Sequence, residues 1–266
     1  MSRLAQTFTR LRASHKTALV AFVAAGDPDL ATTAEEIGAL IRGGADIIEL
    51  GVPFSDPVAD GPVNQRAYQR ALARGVTLGD VLGLAGRVRS AVPMVLLSYY
   101  NPVLQYGVQR FCTESARSGV DGLVVPDLPP DEADDLITSA RPAGLDTIFL
   151  LAPTSTDARI RLAAARSTGF IYCVSVTGVT GIRDRVPEEL HGLVRRIKTQ
   201  SQLPVCVGFG VSTPQQARQI AGVADGVIVG SALVSLAEEP QDRLPRLEQF
   251  VRDLREALDA LPAREA

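Results

Sequence analysis

Residues 45–52 read ADIIELGV, an apolar run interrupted only by Asp46 and Glu49. A strand with one wet face alternates polar and apolar residues, whereas a strand covered on both faces reads as a nearly continuous apolar run. Seven other stretches share the pattern: 18–25 (ALVAFVAA), 93–100 (PMVLLSYY), 122–126 (GLVVP), 146–152 (DTIFLLA), 170–176 (FIYCVSV), 204–209 (PVCVGF) and 226–233 (GVIVGSAL). Between them lie segments with helical spacing. Glu35, Glu36, Ile37, Leu40 and Ile41 precede the second run, and Phe111, Ser115 and Ser118 precede the fourth. Leu244, Leu247, Val251, Leu254 and Leu258 step by three and four near the end. Eight buried strands with intervening helices predict a closed (β/α)8 TIM barrel, one domain over residues 1–266. Residues 1–14 predict an extra helix across the barrel bottom, and 262–266 a frayed tail. Helix starts are expected at Asp27-Pro28, Pro129-Pro130-Asp131, Ser155-Thr156-Asp157 and Ser212-Thr213-Pro214.

The chain's 266 residues are 46% hydrophobic and 21% charged, with a formal net charge of -3. That composition supports a large core and gives no basic stripe for nucleic acid. Arg3, Arg10, Arg12 and Lys16 ahead of 18–25 mimic a secretory signal, but the run is short for one and reads better as the first strand. No stretch is long enough to span a membrane. His15 and His191 are the only histidines, and Cys112, Cys173 and Cys206 form no Cys-x-x-Cys, so neither a zinc site nor a disulfide framework is expected. The three cysteines suit a reducing cytoplasm.

Glu49 falls inside an apolar strand near its C-terminal end, where barrels keep their chemistry. Burial there raises a carboxyl pKa toward the range useful for proton transfer. Asp56 and Asp60 follow on a loop stiffened by Pro53, Pro57 and Pro62, long enough to fold over the mouth. A strand-end and a loop carboxylate would then approach one substrate from two sides. The bland alternative has Glu49 satisfying an Arg or a backbone amide, with the aspartates capping a helix. Gly208-Phe-Gly-Val-Ser-Thr213 and Ala224-Asp-Gly-Val-Ile-Val-Gly-Ser-Ala232 lie after strand seven and around strand eight, where barrels hold phosphates on backbone N–H groups. Thr177-Gly-Val-Thr-Gly181 would close over them.

Carbon–carbon chemistry in a barrel usually needs a Schiff-base lysine or a metal as electron sink. Of 27 basic residues only Lys16 and Lys198 are lysines, one ahead of the first strand and one in a helix over 190–199. Carboxylate acid/base chemistry on a phosphorylated substrate with its own electron sink, such as an indole nitrogen, is what remains. Arg66, Arg70 and Arg74 read as a solvated helix face. Tyr99, Tyr100 and Asn101 read as core or pocket lining, Asp127 as a cap or orienting group, and Cys173 and Cys206 as small core residues.

Residues 49–65 (ELGVPFSDPVADGPVNQ) resemble the signature of the tryptophan synthase alpha chain family. Residues 125–129, 175–181, 208–212 and 224–232 match it in order, and the resemblance covers essentially the whole chain. It implies retro-aldol cleavage of indole-3-glycerol phosphate to indole and glyceraldehyde 3-phosphate. Glu49 would move protons at the ring and side chain, and Asp60 would accept the indole N–H. It further implies that Phe22, Leu97, Val124, Tyr172 and Phe209 line the indole pocket. Gly181, Gly210, Gly230 and Ser231 would hold the phosphate, mainly through backbone N–H groups, and Thr180 would also bind the substrate. The family's alpha chain binds no cofactor and pairs with a beta chain in an alpha2-beta2 heterotetramer that joins the indole to serine. Asn64 departs from the family, which usually has an apolar residue there. The remaining alternatives are a lyase acting without a beta chain, a non-catalytic activator of one, and an isomerase or epimerase of a phosphorylated sugar, which the glycine motifs alone would allow.

Overall fold

The computed structural model describes residues 1–174, 188–208 and 210–260. Its strands are β1 (Ala18–Ala24), β2 (Ile47–Gly51), β3 (Met94–Leu97), β4 (Gly122–Val124), β5 (Asp146–Ile148), β6 (Leu150–Leu151), β7 (Ile171–Val174), β8 (Val205–Gly208) and β9 (Gly226–Val229). All pair in parallel, in the order β5-β4-β3-β2-β1-β9-β8-β7-β6. β5 and β6 are two halves of one strand divided at Phe149. The first half pairs with β4 and the second with β7, while the Tyr172 N–H donates to the Phe149 carbonyl. The ring therefore closes with eight strand positions, a TIM barrel.

Strand pleating sorts the side chains into two shells. Ala18, Val20, Ile47, Val95, Leu97, Val124, Ile148, Cys206 and Ile228 pack together inside the barrel. Leu19, Ala21, Val23, Ile48, Leu50, Leu96 and Leu123 point outward into the helical layer. The predicted N-terminal helix is α1 (Arg3–Ala13); its Leu4, Phe8 and Leu11 join the inner cluster and close the bottom, with Phe8 5.8 Å from the Phe170 ring. Run 18–25, the signal-like stretch, supplies β1, buried along its whole length.

The outer layer comprises α2 (Leu30–Gly43), α3 (Pro62–Ala73), α4 (Leu78–Val88), α5 (Tyr100–Tyr106), α6 (Val108–Arg117), α7 (Asp134–Ala140), α8 (Asp157–Arg166), α9 (Glu188–Lys198), α10 (Pro214–Ala221), α11 (Ser231–Glu238) and α12 (Arg243–Asp259). Asp29, Thr156 and Thr213 cap α2, α8 and α10, each within two residues of an expected start. The Pro129–Asp131 signal opens only a short 3₁₀ turn, Pro130–Glu132, before α7. Leu247, Val251, Leu254 and Leu258 form the buried stripe of α12, which packs on α2. The long interval after β2 holds both α3 and α4, and run 226–233 ends earlier than its apolar character suggests because Ser231 already begins α11.

The arginine face of α3 is a clasp rather than a solvated surface. Arg70 donates Nε and Nη2 to both carboxylate oxygens of Asp27, at 2.8 and 2.7 Å, and Nη1 to Glu238 on α11 at 3.0 Å. Asp27, only 8% exposed, sits in the loop after β1, so one guanidinium ties three segments of the rim. Hydrogen bonds to charged groups are worth about 1.5–3 kcal/mol. Arg70→Ala is expected to lower the unfolding free energy by about that much. Arg70→Lys should not restore it, because an ammonium cannot make the two-pronged contact. Equal melting temperatures for all three proteins would remove the clasp from the account.

Candidate active site

Strand parity turns a layer of side chains inward near the C-terminal strand ends. Phe22 lies opposite Glu49, Leu97 opposite Val124, and Leu150 opposite Tyr172. Above this layer is a cavity of about 680 Å³. Nine residues singled out in the sequence line it: Phe22, Glu49, Asp60, Leu97, Val124, Tyr172, Gly210, Gly230 and Ser231. Thr180, Gly181 and Phe209 lie outside the described residues.

Glu49 is 2% exposed. No Arg or backbone amide among the described residues satisfies its Oε1, which has no hydrogen-bond partner. Burial pushes its pKa up to about 8, and the charge of Asp60 pushes the same way. A hydrogen bond with the Tyr172 hydroxyl opposes both. At neutral pH this side chain is therefore largely a protonated acid, poised to give up a proton.

Asp60 reaches the same cavity from the loop before α3. The Tyr99 hydroxyl donates to its Oδ2 at 2.7 Å and accepts the Ala59 N–H at 3.0 Å, fastening the loop to the end of β3. Tyr99 is buried and stacked on Phe54, with ring centroids 5.2 Å apart. Asn64 Nδ2 donates to Asp60 Oδ1 at 2.9 Å, and Gln65 Nε2 donates to the Asp60 carbonyl at 2.8 Å. Burial raises the Asp60 pKa, while the bonds from Asn64 and Tyr99 pull it back. One acid is thus held protonated by an apolar wall, and its neighbour is fed by donors that favour the carboxylate.

A raised pKa alone does not mark chemistry. Glu36 on α2 is also pushed up to about 8 by burial, but it faces Arg243 at 3.6 Å beside a space of only about 10 Å³. What separates Glu49 is a large cavity that it shares with a second carboxylate.

At the end of β9, beside Phe22, Gly230 precedes α11 and Ser231 is its first residue. The first N–H groups of a helix have no intrahelical acceptor and attract anions. Gly208 lets β8 approach Tyr172 closely: a Cβ there would stand 3.1 Å from its hydroxyl. Gly210, with φ +62°, holds a backbone turn that other residues resist.

Leu150, Ile228 and Asn64 also line the cavity. Leu150 and Ile228 carry no signal in sequence beyond strand parity. Asp127 accepts the Tyr100 N–H at 2.9 Å, so it caps α5 rather than the helix that follows it. Cys173 and Cys206 are buried with their thiol pKa values pushed up, as unreactive core residues. Lys16 and Lys198 pair with Asp259 and Asp225, away from the cavity. Among the described residues no helix is long and apolar enough to cross a membrane.

The profile of the tryptophan synthase alpha chain family matches residues 8–260. The tryptophan synthase alpha chain of Geotalea uraniireducens is 51% identical over 265 residues, covering 98% of this chain and 99% of that one. That of Geobacter sulfurreducens is 51% identical over 262 residues, covering 97% and 99%. Among solved structures, tryptophan synthase from Mycobacterium tuberculosis superposes with a TM-score of 0.91 at 42% identity, covering 97% of this chain and 98% of that one. The alpha subunit from Legionella pneumophila gives 0.91 at 38% identity, covering 98% and 100%. With the strand-borne acid, the loop carboxylate and the helix terminus gathered on one cavity of a matching barrel, the chain belongs to the tryptophan synthase alpha chain family.

Proposed function

We propose that Glu49 and Asp60 carry out, in this cavity, the family's lyase reaction: cleavage of indole-3-glycerol phosphate to indole and glyceraldehyde 3-phosphate. Glu49 gives its proton to C3 of the indole ring. The positive charge that results is spread onto the ring nitrogen, whose N–H is held by the Asp60 carboxylate. Glu49, now a carboxylate, takes the proton from the hydroxyl on the carbon attached to C3. The bond between that carbon and C3 breaks, its electrons restore the aromatic ring, and the former alcohol carbon becomes the aldehyde. The ring supplies the electron sink, and Glu49 ends protonated as it began. Phe22, Leu97, Val124, Tyr172 and Phe209 line the indole pocket, Gly181, Gly210, Gly230 and Ser231 bind the phosphate, chiefly through backbone N–H groups, and Thr180 also binds the substrate.

The observation that carries this reading is the convergence on one cavity of two buried carboxyl groups, of which Asp60 alone is held by two donors that favour its charged form. We further propose that the chain works in the cytoplasm as one barrel domain, without a cofactor, in an alpha2-beta2 heterotetramer whose beta chain uses the indole. Val58 and Leu104, 80% and 53% exposed, sit in the segments following β2 and β3 at the cavity's end of the barrel and offer apolar surface to such a partner. The test is indole release from indole-3-glycerol phosphate, with and without purified beta chain. Indole and aldehyde in equal amounts, faster with the partner, are expected; no indole under either condition overturns the reading. Asp60→Asn removes the negative charge from the ring N–H and should cost about ten- to a hundredfold in kcat/KM, the worth of one charge-assisted hydrogen bond.

A further inference from the structure

Asn64 stands one helical turn beyond Asp60, and its amide has only one workable orientation. Turned over, it would set Oδ1 against a carboxylate oxygen, acceptor against acceptor, so Nδ2 must face Asp60. That leaves Asn64 Oδ1 buried with no hydrogen-bond partner. A buried carbonyl without a donor is costly, and an apolar side chain of similar size would avoid the cost. Among the described residues, the side-chain bond that rewards an amide at this position is the one to Asp60.

We propose that Asn64 is a positioning residue for Asp60, fixing one carboxylate oxygen while Tyr99 fixes the other, so that the remaining lone pairs are aimed at the substrate's ring N–H. This rests on the function proposed above for Asp60. The two donors enter from different elements, Asn64 from α3 and Tyr99 from the end of β3, so the carboxylate cannot rotate without losing one of them. The same bond has an electrostatic effect. Burial raises the Asp60 pKa, and Asn64 is the strongest influence lowering it, ahead of Tyr99. Around Asp60 the other titratable groups are Glu49 on β2, Tyr68 on α3, Tyr99 after β3 and Tyr172 on β7. None is a cation, so amide and hydroxyl donors alone favour the charged carboxylate among the described residues.

The test compares the parent protein with Asn64→Leu, Asp60→Asn and the double variant, measuring indole release across pH. Asn64→Leu is expected to lower kcat/KM by about tenfold, the lower end for a hydrogen bond to a charged group. The acidic limb of its kcat/KM profile should move to higher pH, and its melting temperature should hold or rise. In the double variant the second change should add little to Asp60→Asn, because both act through one carboxylate. An unmoved acidic limb, or losses that multiply in the double variant, overturns the proposal. Should Asn64→Leu fail to fold, Asn64→Ala gives the same two readouts. A parent chain that releases no indole overturns the proposed function and this inference with it. A working parent that Asn64→Leu matches at every pH overturns this inference alone.

Discussion

Glu49→Gln will lower the turnover of indole-3-glycerol phosphate by at least about a hundredfold and leave the barrel folded. A positioned acid or base contributes about 10²–10⁴-fold, and in the proposed cycle this carboxyl serves as both, so glutamine removes proton delivery and proton removal together. The amide is nearly isosteric, so the pocket keeps its shape. The pH dependence supplies an independent check. Cleavage needs Glu49 protonated and Asp60 ionised, so kcat/KM should fall above about 8, where Glu49 loses its proton. It should also fall at acid pH as Asp60 gains one. Stability should follow the same titration of Glu49. The folded-state pKa of Glu49 lies above its ordinary value of 4.5, so its favourable contribution is fully present below 4.5 and is lost as pH rises toward about 8. Gln at this position carries no such loss. The melting temperature of Glu49→Gln should therefore equal that of the parent near pH 4.5 and exceed it increasingly up to pH 8. Near-parental turnover would end the role of Glu49, and a melting difference independent of pH would contradict its buried, protonated state.

How much of this was legible in the sequence depends on the range of the contact. Glu49 stood out because a carboxyl inside an apolar strand is costly without a purpose. Strand parity then extends the argument: once Glu49 faces inward, the register sets Phe22 beside it on β1 and Val95 on β3, and Leu97, two residues beyond Val95, shares that inward face with its partner Val124. The glycines after β8 and β9 were readable for a similar reason, since barrel order fixes which end of the strands they occupy. Contacts that depend on how separate βα units settle against each other were not readable. Spacing shows that Arg66 and Arg70 share a face, but not that Asp27 and Glu238 close on it from other units. Tyr99 was recognisable only as core or lining. Its grip on Asp60 requires the loop after β2 to fall across the end of β3, and no local pattern encodes that placement. Leu150 joins the cavity because the fifth strand breaks at Phe149 and changes partners, a break with no composition signal.

Gly51→Ala is expected to disable the site by crowding alone, without touching a titrating group. Gly51 ends β2 two residues after Glu49 and so points to the same side. A Cβ there would lie 2.5 Å from the Tyr68 hydroxyl and 2.7 Å from Cε2 and Cζ of Phe22. Both neighbours are buried, and Phe22 already forms cavity wall, so neither can swing away freely. Relief requires one of two shifts. Phe22 can move into the space the indole needs, or α3 can move outward and take Asn64 and the adjoining Asp60 with it. Overpacking of this kind costs about 1–3 kcal/mol, or roughly 2–12 °C in melting temperature for a domain of this size. A displacement near 1 Å at reacting groups can cost on the order of a hundredfold in rate, so kcat/KM should fall by about ten- to a hundredfold while the protein stays soluble. Gly192→Ala is the matched control, since Gly192 lies within α9 and a Cβ there meets nothing within 4 Å. That variant should melt no lower than the parent and turn over at the parental rate. If Gly51→Ala behaves like the control, Tyr68 and Phe22 must relax without moving the acids, and the close packing of α3 against β2 does not position Asp60.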